Sequence, residues 1–160
     1  MGVLLEKIKK KLFAFSLKRS NGFTLIELLL VIAILGILTG IAVPLFLGER
    51  SKAMHAEAKS NLESLRLVEE QYFAENGSYG ACAAYPCTLT YKGTYGTSDN
   101  GIEDLLPGFK PGDVNSLKFS YTLTISNNGN SFTATATGKS GTPISGATFS
   151  IDQDNNRIGF

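Results

Sequence analysis

From Phe23 to Leu47 the chain is overwhelmingly apolar, and its only charged residue there, Glu27, stands near the start. A helix needs about 20 apolar residues to cross the hydrocarbon of a bilayer, so this stretch is long enough to span one. A carboxylate near the end of such a helix costs about 2.5 kcal/mol or more unless it is paired or lies at the headgroups. Glu27 therefore requires a reason, and the favoured one is a counter-charge supplied by another subunit. The bland alternative leaves it among the lipid headgroups.

Orientation is set by the preceding residues. Residues 1–22 hold six basic side chains (Lys7, Lys9, Lys10, Lys11, Lys18 and Arg19) against Glu6. That segment contributes +5 to a chain total of +1, leaving −4 for the remainder. A lysine-rich flank keeps its side of a membrane helix in the cytoplasm and sends the downstream chain across. No small-residue cleavage site stands after Leu47, so the apolar run is expected to be retained, unlike a secretory signal. A simple signal anchor is the minimal reading of that arrangement. Met1-Gly2 is followed by Glu6 where a myristoylation signal requires Ser or Thr. The acidic exported part does not favour nonspecific nucleic-acid binding. With one His, no nucleophile elbow and no phosphate loop, neither an enzyme nor a cofactor is expected.

Beyond the apolar run, Met54, Ala58, Leu62, Leu65 and Tyr72 recur at helical spacing, with charged residues including Glu57, Lys59, Glu63, Arg66, Glu69 and Glu70 over much of the rest. Glu63 and Arg66 are spaced as a surface pair. Asn76-Gly77 reads as the stop. One helix from Phe23 to about Glu75 would be roughly 80 Å long at 1.5 Å per residue, far more than a bilayer requires. Its amphipathic half can cover a sheet, whereas its apolar half needs lipid or sister helices.

Residues 77–116 are rich in Gly, Tyr, Ser and Pro without clear periodicity and read as a long structured loop. Alternation then begins: Phe119, Tyr121, Leu123 and Ile125 share one face, Ser126–Asn130 turns the chain, and Phe132, Ala134 and Ala136 continue on a second strand. A third strand is expected over Ala147–Ile151 and a short final one over Arg157–Phe160, separated by a turn at Asp152–Asn156. The expected fold is α+β, with a long N-terminal helix packed through its C-terminal half on an antiparallel sheet formed by residues 117–160.

Gly22-Phe23-Thr24-Leu25-Ile26-Glu27, leading into the apolar run with Pro44 near its end, resembles the class III signal of type IV prepilins and the related pseudopilins. The resemblance covers about residues 18–48 closely and the helix-then-sheet order more loosely. It implies four parts: a cleaved cytoplasmic leader (1–22), a membrane and filament-core helix (23–47), an amphipathic helical half (48–76) and a globular head (77–160). It further implies cleavage between Gly22 and Phe23 by a membrane aspartyl peptidase, then methylation of the new Phe23 amine. Glycine suits a scissile position because a protease can approach its bare backbone closely. Glu27 would pair with the Phe23 amine of a neighbouring subunit, with Thr24 as an accessory whose hydroxyl bonds nearby backbone.

Three further residues bear on the helix itself. Gly36 and Gly40 form a Gly-xxx-Gly pair and Pro44 removes a backbone donor, making Gly36–Pro44 the weakest part of the helix. Close helix packing and local melting are both open readings of the glycines. In assembled filaments the resemblance implies unwinding at this segment.

Cys82 and Cys87 are the only cysteines, and their place across the membrane points to a small disulfide loop. Many Gram-negative type IV pilins instead close a larger C-terminal loop. Zinc is not expected, because His55 is alone and no second cysteine pair exists. Asp152, Asp154 and Asn156 have a D-x-D-x-N spacing, but Arg157 occupies the sixth position and no bidentate acid comes after it, which favours a solvated turn over calcium. Tyr72, Phe73, Tyr79, Tyr85, Tyr91 and Tyr95 are expected to pack a core or a subunit interface.

The resemblance thus implies a homo-oligomeric filament subunit, held in the inner membrane by a single span before assembly and displayed outside the cell afterwards. Lipid, the prepilin peptidase and an inner-membrane assembly machine would be its partners, and adhesion, surface motility or DNA uptake its roles. A type II secretion pseudopilin is the nearest alternative. A monomeric membrane-anchored binding module is the alternative from another class.

Overall fold

A computed structural model describes residues 22–80, 82–94 and 101–160. The leader up to Asn21, and Tyr95 among the aromatics, lie outside the described residues. The architecture is α+β, as expected. A 52-residue helix, α1 (Leu25–Asn76), precedes a five-stranded antiparallel sheet in which the strands lie side by side in chain order. They are β1 (Cys87–Thr90), β2 (Phe119–Ser126), β3 (Ser131–Gly138), β4 (Thr148–Asp152) and β5 (Arg157–Ile158). A short helix, α2 (Ile102–Leu105), stands between β1 and β2.

The chain divides into two compact units, residues 1–44 and 45–160, and α1 contributes to both. In the first unit every described side chain is exposed. The α1 helix is long and apolar enough to cross a membrane, and its most apolar window has no residue buried inside the chain. Thr39 returns its hydroxyl to the carbonyl of Leu35 at 2.7 Å, the way a helix absorbs a polar side chain in an apolar setting.

The second unit has one core. Met54, Ala58, Leu62 and Leu65 come from α1 at the spacing read in the sequence. Phe119, Tyr121, Leu123 and Ile125 of β2, Phe132, Ala134 and Ala136 of β3, and Phe149 and Ile151 of β4 complete it. In the register, Leu123 faces Ala134, which faces Ile151, while Tyr121 faces Ala136, which faces Phe149. Small residues on the central strand thus separate large ones on its neighbours, leaving depth for apolar helix side chains. The opposite sheet face carries hydroxyls: Thr88 and Thr124 lie across β1 and β2 with their oxygens 3.1 Å apart. Strict alternation of apolar and hydroxyl residues is what a sheet with one buried face demands.

The turn expected at Ser126–Asn130 is a single 3-10 turn, Asn127–Gly129. Asn127 and Asn128 hold φ of 49° and 56°, the left-handed region that asparagine tolerates better than most residues. The β5 end is fastened to α1 by Arg157 and Glu63, whose nitrogen and oxygen are 2.7 Å apart, and by Lys59 lying over the Phe149 and Phe160 rings at 5.0 and 5.6 Å. Glu63 and Arg66 do approach one another, at 3.8 Å.

Two expectations need correction. The loop 77–116 contains β1 and α2, and it sends Leu89, Tyr91, Ile102, Leu106 and Phe109 into the core. Phe109 sits edge-on between Tyr91 and Tyr121, with centroid distances of 5.6 and 5.7 Å. Buried Glu103 holds the chain after β1, accepting the backbone amides of Lys92 at 2.9 Å and Thr94 at 3.1 Å. The second correction is Glu69. Its charge groups it with the surface residues of the helix, yet it lies one turn beyond Leu65 on the buried stripe and is 0% exposed.

Candidate assembly site

The first turn of α1 positions the residues singled out at its N-terminus. Thr24 precedes the helix and Glu27 lies three residues on, the arrangement in which a hydroxyl and a carboxylate exchange bonds with each other's backbone. The Glu27 amide donates to Thr24 Oγ1 at 3.2 Å, and the Thr24 amide donates to Glu27 Oε2 at 3.0 Å. The Thr24 hydroxyl also donates to Glu27 Oε2, at 2.9 Å. Thr24 is thus more than an accessory: it caps the helix and fixes the carboxylate. The spacing Thr-x-x-Glu before an apolar run is the sequence signal for this cap, and it is easily overlooked beside the lone charge. A negative group in the first turn also complements the positive end of the helix dipole.

The two bonds that Glu27 accepts from Thr24 both engage Oε2, so Glu27 Oε1 takes no hydrogen bond among the described residues. Gly22 and Phe23 lie immediately outside the cap, both exposed, with no atom within 4 Å of a Cβ added at Gly22. Candidate scissile bond, free carboxylate oxygen and cap therefore lie within the short run Gly22–Glu27.

Along α1, Gly36 and Gly40 likewise have nothing within 4 Å of an added Cβ. The helix continues through Pro44, where the missing N–H leaves the Gly40 carbonyl without its usual donor. In the head, Cys82 and Cys87 form a disulfide with Cα atoms 6.3 Å apart, closing a small loop that enters β1. Asp152 does not present a free carboxylate to solvent. It accepts the Asn156 amide at 2.9 Å and the Asn156 side chain at 2.8 Å; burial pushes its carboxyl up, but these bonds outweigh that push and hold it below the usual range. Phe73 stacks on Tyr79 at 4.5 Å, and Tyr79 meets Phe132 edge-on at 4.8 Å, which makes packing their role.

Residues 17–43 match the prokaryotic N-terminal methylation motif family. That match takes in Gly22, Phe23, Thr24 and Glu27 and the apolar run up to Val43. The chain is 44% identical over 61 residues to the type IV major pilin protein PilA of Myxococcus xanthus, covering 38% of this chain and 28% of that one. It is 39% identical over 61 residues to the type II secretion system core protein G of Pectobacterium carotovorum, covering 38% and 39%. The type IV wide pilus major component PilA4 of Thermus thermophilus is 36% identical over 78 residues, covering 49% and 60%. None of these alignments reaches two thirds of the relative's own length. No solved structure matches this one.

Proposed function

We propose that this chain is the structural subunit of a type IV pilus filament. The observation that carries the reading is a prepilin-type N-terminus opening into a helix whose apolar side chains are all exposed along its first half. So much uncovered apolar surface is stable only in lipid or against other helices of its kind. In this reading residues 1–22 are a cytoplasmic leader removed by prepilin peptidase between Gly22 and Phe23, and the Phe23 amine is then methylated. Residues 23–47 wait in the inner membrane and later line the filament core, with residues 48–76 continuing the helix and residues 77–160 forming the outward head.

On assembly, Glu27 Oε1 receives the Phe23 amine of a neighbouring subunit. The Thr24 cap holds the carboxylate ready, so little orientational freedom is lost on pairing. A counter-charge in a low-dielectric bundle offsets the desolvation of Glu27, and a subunit out of register forfeits it. Gly36, Gly40 and Pro44 supply either close helix contacts or a segment that melts under tension. The role is structural, with energy supplied by separate inner-membrane machinery; adhesion, motility or DNA uptake would belong to the whole fibre.

Electron microscopy of sheared fibres, with mass identification of the subunit, tests the proposal. Fibres built of a chain beginning at methylated Phe23 support it. The relatives named as secretion protein G favour a second reading, a periplasmic pseudopilus, and confinement of the processed chain to the periplasm would select it. An uncut, monomeric chain would leave only a membrane-anchored binding module.

A further inference from the structure

Two cations follow the apolar run on α1, Arg50 and Lys52. Lys52 is taken up by Glu49, nitrogen to oxygen 2.8 Å, whereas the exposed Arg50 makes no hydrogen bond or ion pair among the described residues. Phe46, 68% exposed, stands one turn before Arg50 on the same face of the helix. That face joins an apolar flank to an unmatched guanidinium.

A groove complementary to it lies near the C-terminal end of α1. Its floor is apolar, formed by Val68 of α1 with Leu105, Leu106 and Pro107, and it offers about 310 Å³. Gly108 closes one side, where a Cβ added to it would meet both Val68 methyls at 3.5 Å. Gln71 and Glu75 stand on the rim. The Gln71 amide donates to Glu75 Oε1 at 3.1 Å, leaving Glu75 Oε2 without a hydrogen bond among the described residues. None of the described residues that line the groove is basic. The last turn of α1 has no basic residue either, so the negative end of the helix dipole goes uncompensated there. An apolar floor beneath a carboxylate rim fits an arginine, whose aliphatic stem lies on apolar surface while its guanidinium reaches the acid.

Arg50 and Glu75 cannot meet within one chain. Both belong to one continuous helix, and the 25 residues between their positions hold them about 37 Å apart at 1.5 Å per residue. We propose that Arg50 of one copy docks in the groove formed by Val68, Glu75 and Leu105 of a second copy, displaced along the helix axis by about that length. The contact rests on the filament reading and deepens it, adding a second pairing between subunits in the head. It joins two different patches and is therefore heterologous, so each repeat leaves one patch free at either end and the assembly grows as an open fibre. Charge sets the stagger, because a copy at a different offset leaves the guanidinium unmatched.

Charge reversal in the full-length chain tests the contact, read as the yield of sheared fibres relative to processed, membrane-bound subunit. Arg50→Glu and Glu75→Arg should each lower that ratio about tenfold or more, because each sets like charges against one another. The double reversal should recover most of the loss, since it restores the pair with its ends exchanged. A normal yield from either single reversal overturns the proposal; normal yield from Arg50→Glu alone would assign the groove to a different cation. A double reversal no better than the singles overturns it as well. In each of these cases fibres of the unsubstituted chain leave the filament reading standing, whereas absence of fibres from the unsubstituted chain overturns both.

Discussion

The side-chain amide of Asn61 donates to the hydroxyl of Tyr121 at 2.8 Å, joining α1 to β2 through residues 60 positions apart. Burial raises the Tyr121 hydroxyl to about 12, so the phenol remains neutral and the bond persists across the ordinary pH range. Replacing Tyr121 by Phe removes the acceptor and leaves a part-buried amide unserved, at a cost of about 1 kcal/mol. Denaturant unfolding of the head should show that loss. A double-mutant cycle with Asn61→Ala should give a coupling energy of similar size, whereas additive losses would mean that the bond contributes nothing.

Leu62 and Leu67 lie on one helix and differ in what covers them. Leu62 is fully buried in the core, while Leu67 is 60% exposed. Leu62→Ala should therefore cost about 2–5 kcal/mol through lost burial and a residual cavity. Leu67→Ala should stay within about 0.5 kcal/mol. Comparing their denaturation midpoints checks the placement of the buried stripe.

Gly80 has φ of +52°, and a Cβ added there would run into the side chain of Ile125 and press on Leu105. Gly141 shares a positive φ, +77°, but has open space around it. Gly80→Ala combines backbone strain with overpacking and should destabilise the head by about 2 kcal/mol or more. Gly141→Ala should cost about 1 kcal/mol from the backbone alone. Equal midpoints for the two variants would contradict the close packing at Gly80.

Glu27→Val should insert into the membrane at least as well as the natural sequence, because it removes the only charge from the apolar run. Its incorporation into sheared fibres should nevertheless fall severely. Thr24→Ala tests the cap: it keeps the carboxylate but loses the hydroxyl bonds at 2.9 and 3.2 Å, so it should lower assembly less than Glu27→Val does. Quantifying membrane-bound and fibre-borne subunit separately distinguishes insertion from polymerisation. Normal fibres from Glu27→Val would remove the proposed ion pair.

Periodicity makes much of this architecture readable. The spacing of Met54, Ala58, Leu62 and Leu65 is long and regular, and the alternation from Phe119 to Ala136 has one buried face, so each pattern matches only one kind of element. Ile102, Leu106 and Phe109 escape such reading because α2 is four residues long, too short for a period to stand out from the Gly- and Pro-rich sequence around it. Strand β1 is equally brief and comes directly after Pro86. Glu69 is misplaced when residue type outweighs position: its spacing from Leu65 continues the buried stripe, but a carboxylate there contradicts ordinary burial preference. At the N-terminus Glu27 stands out as the one charge in an apolar run. The cap that orients it depends on Thr24, whose modest polarity is a fainter mark.

The sheet's two margins are short, four residues in β1 and two in β5. Each offers little unpaired ladder on which a foreign strand could template itself. Heads crowded at high local concentration are thereby guarded against zippering into cross-β aggregates. If the chain assembles as proposed, its fibres should remain dark to amyloid dyes, with cohesion residing in bundled stalks.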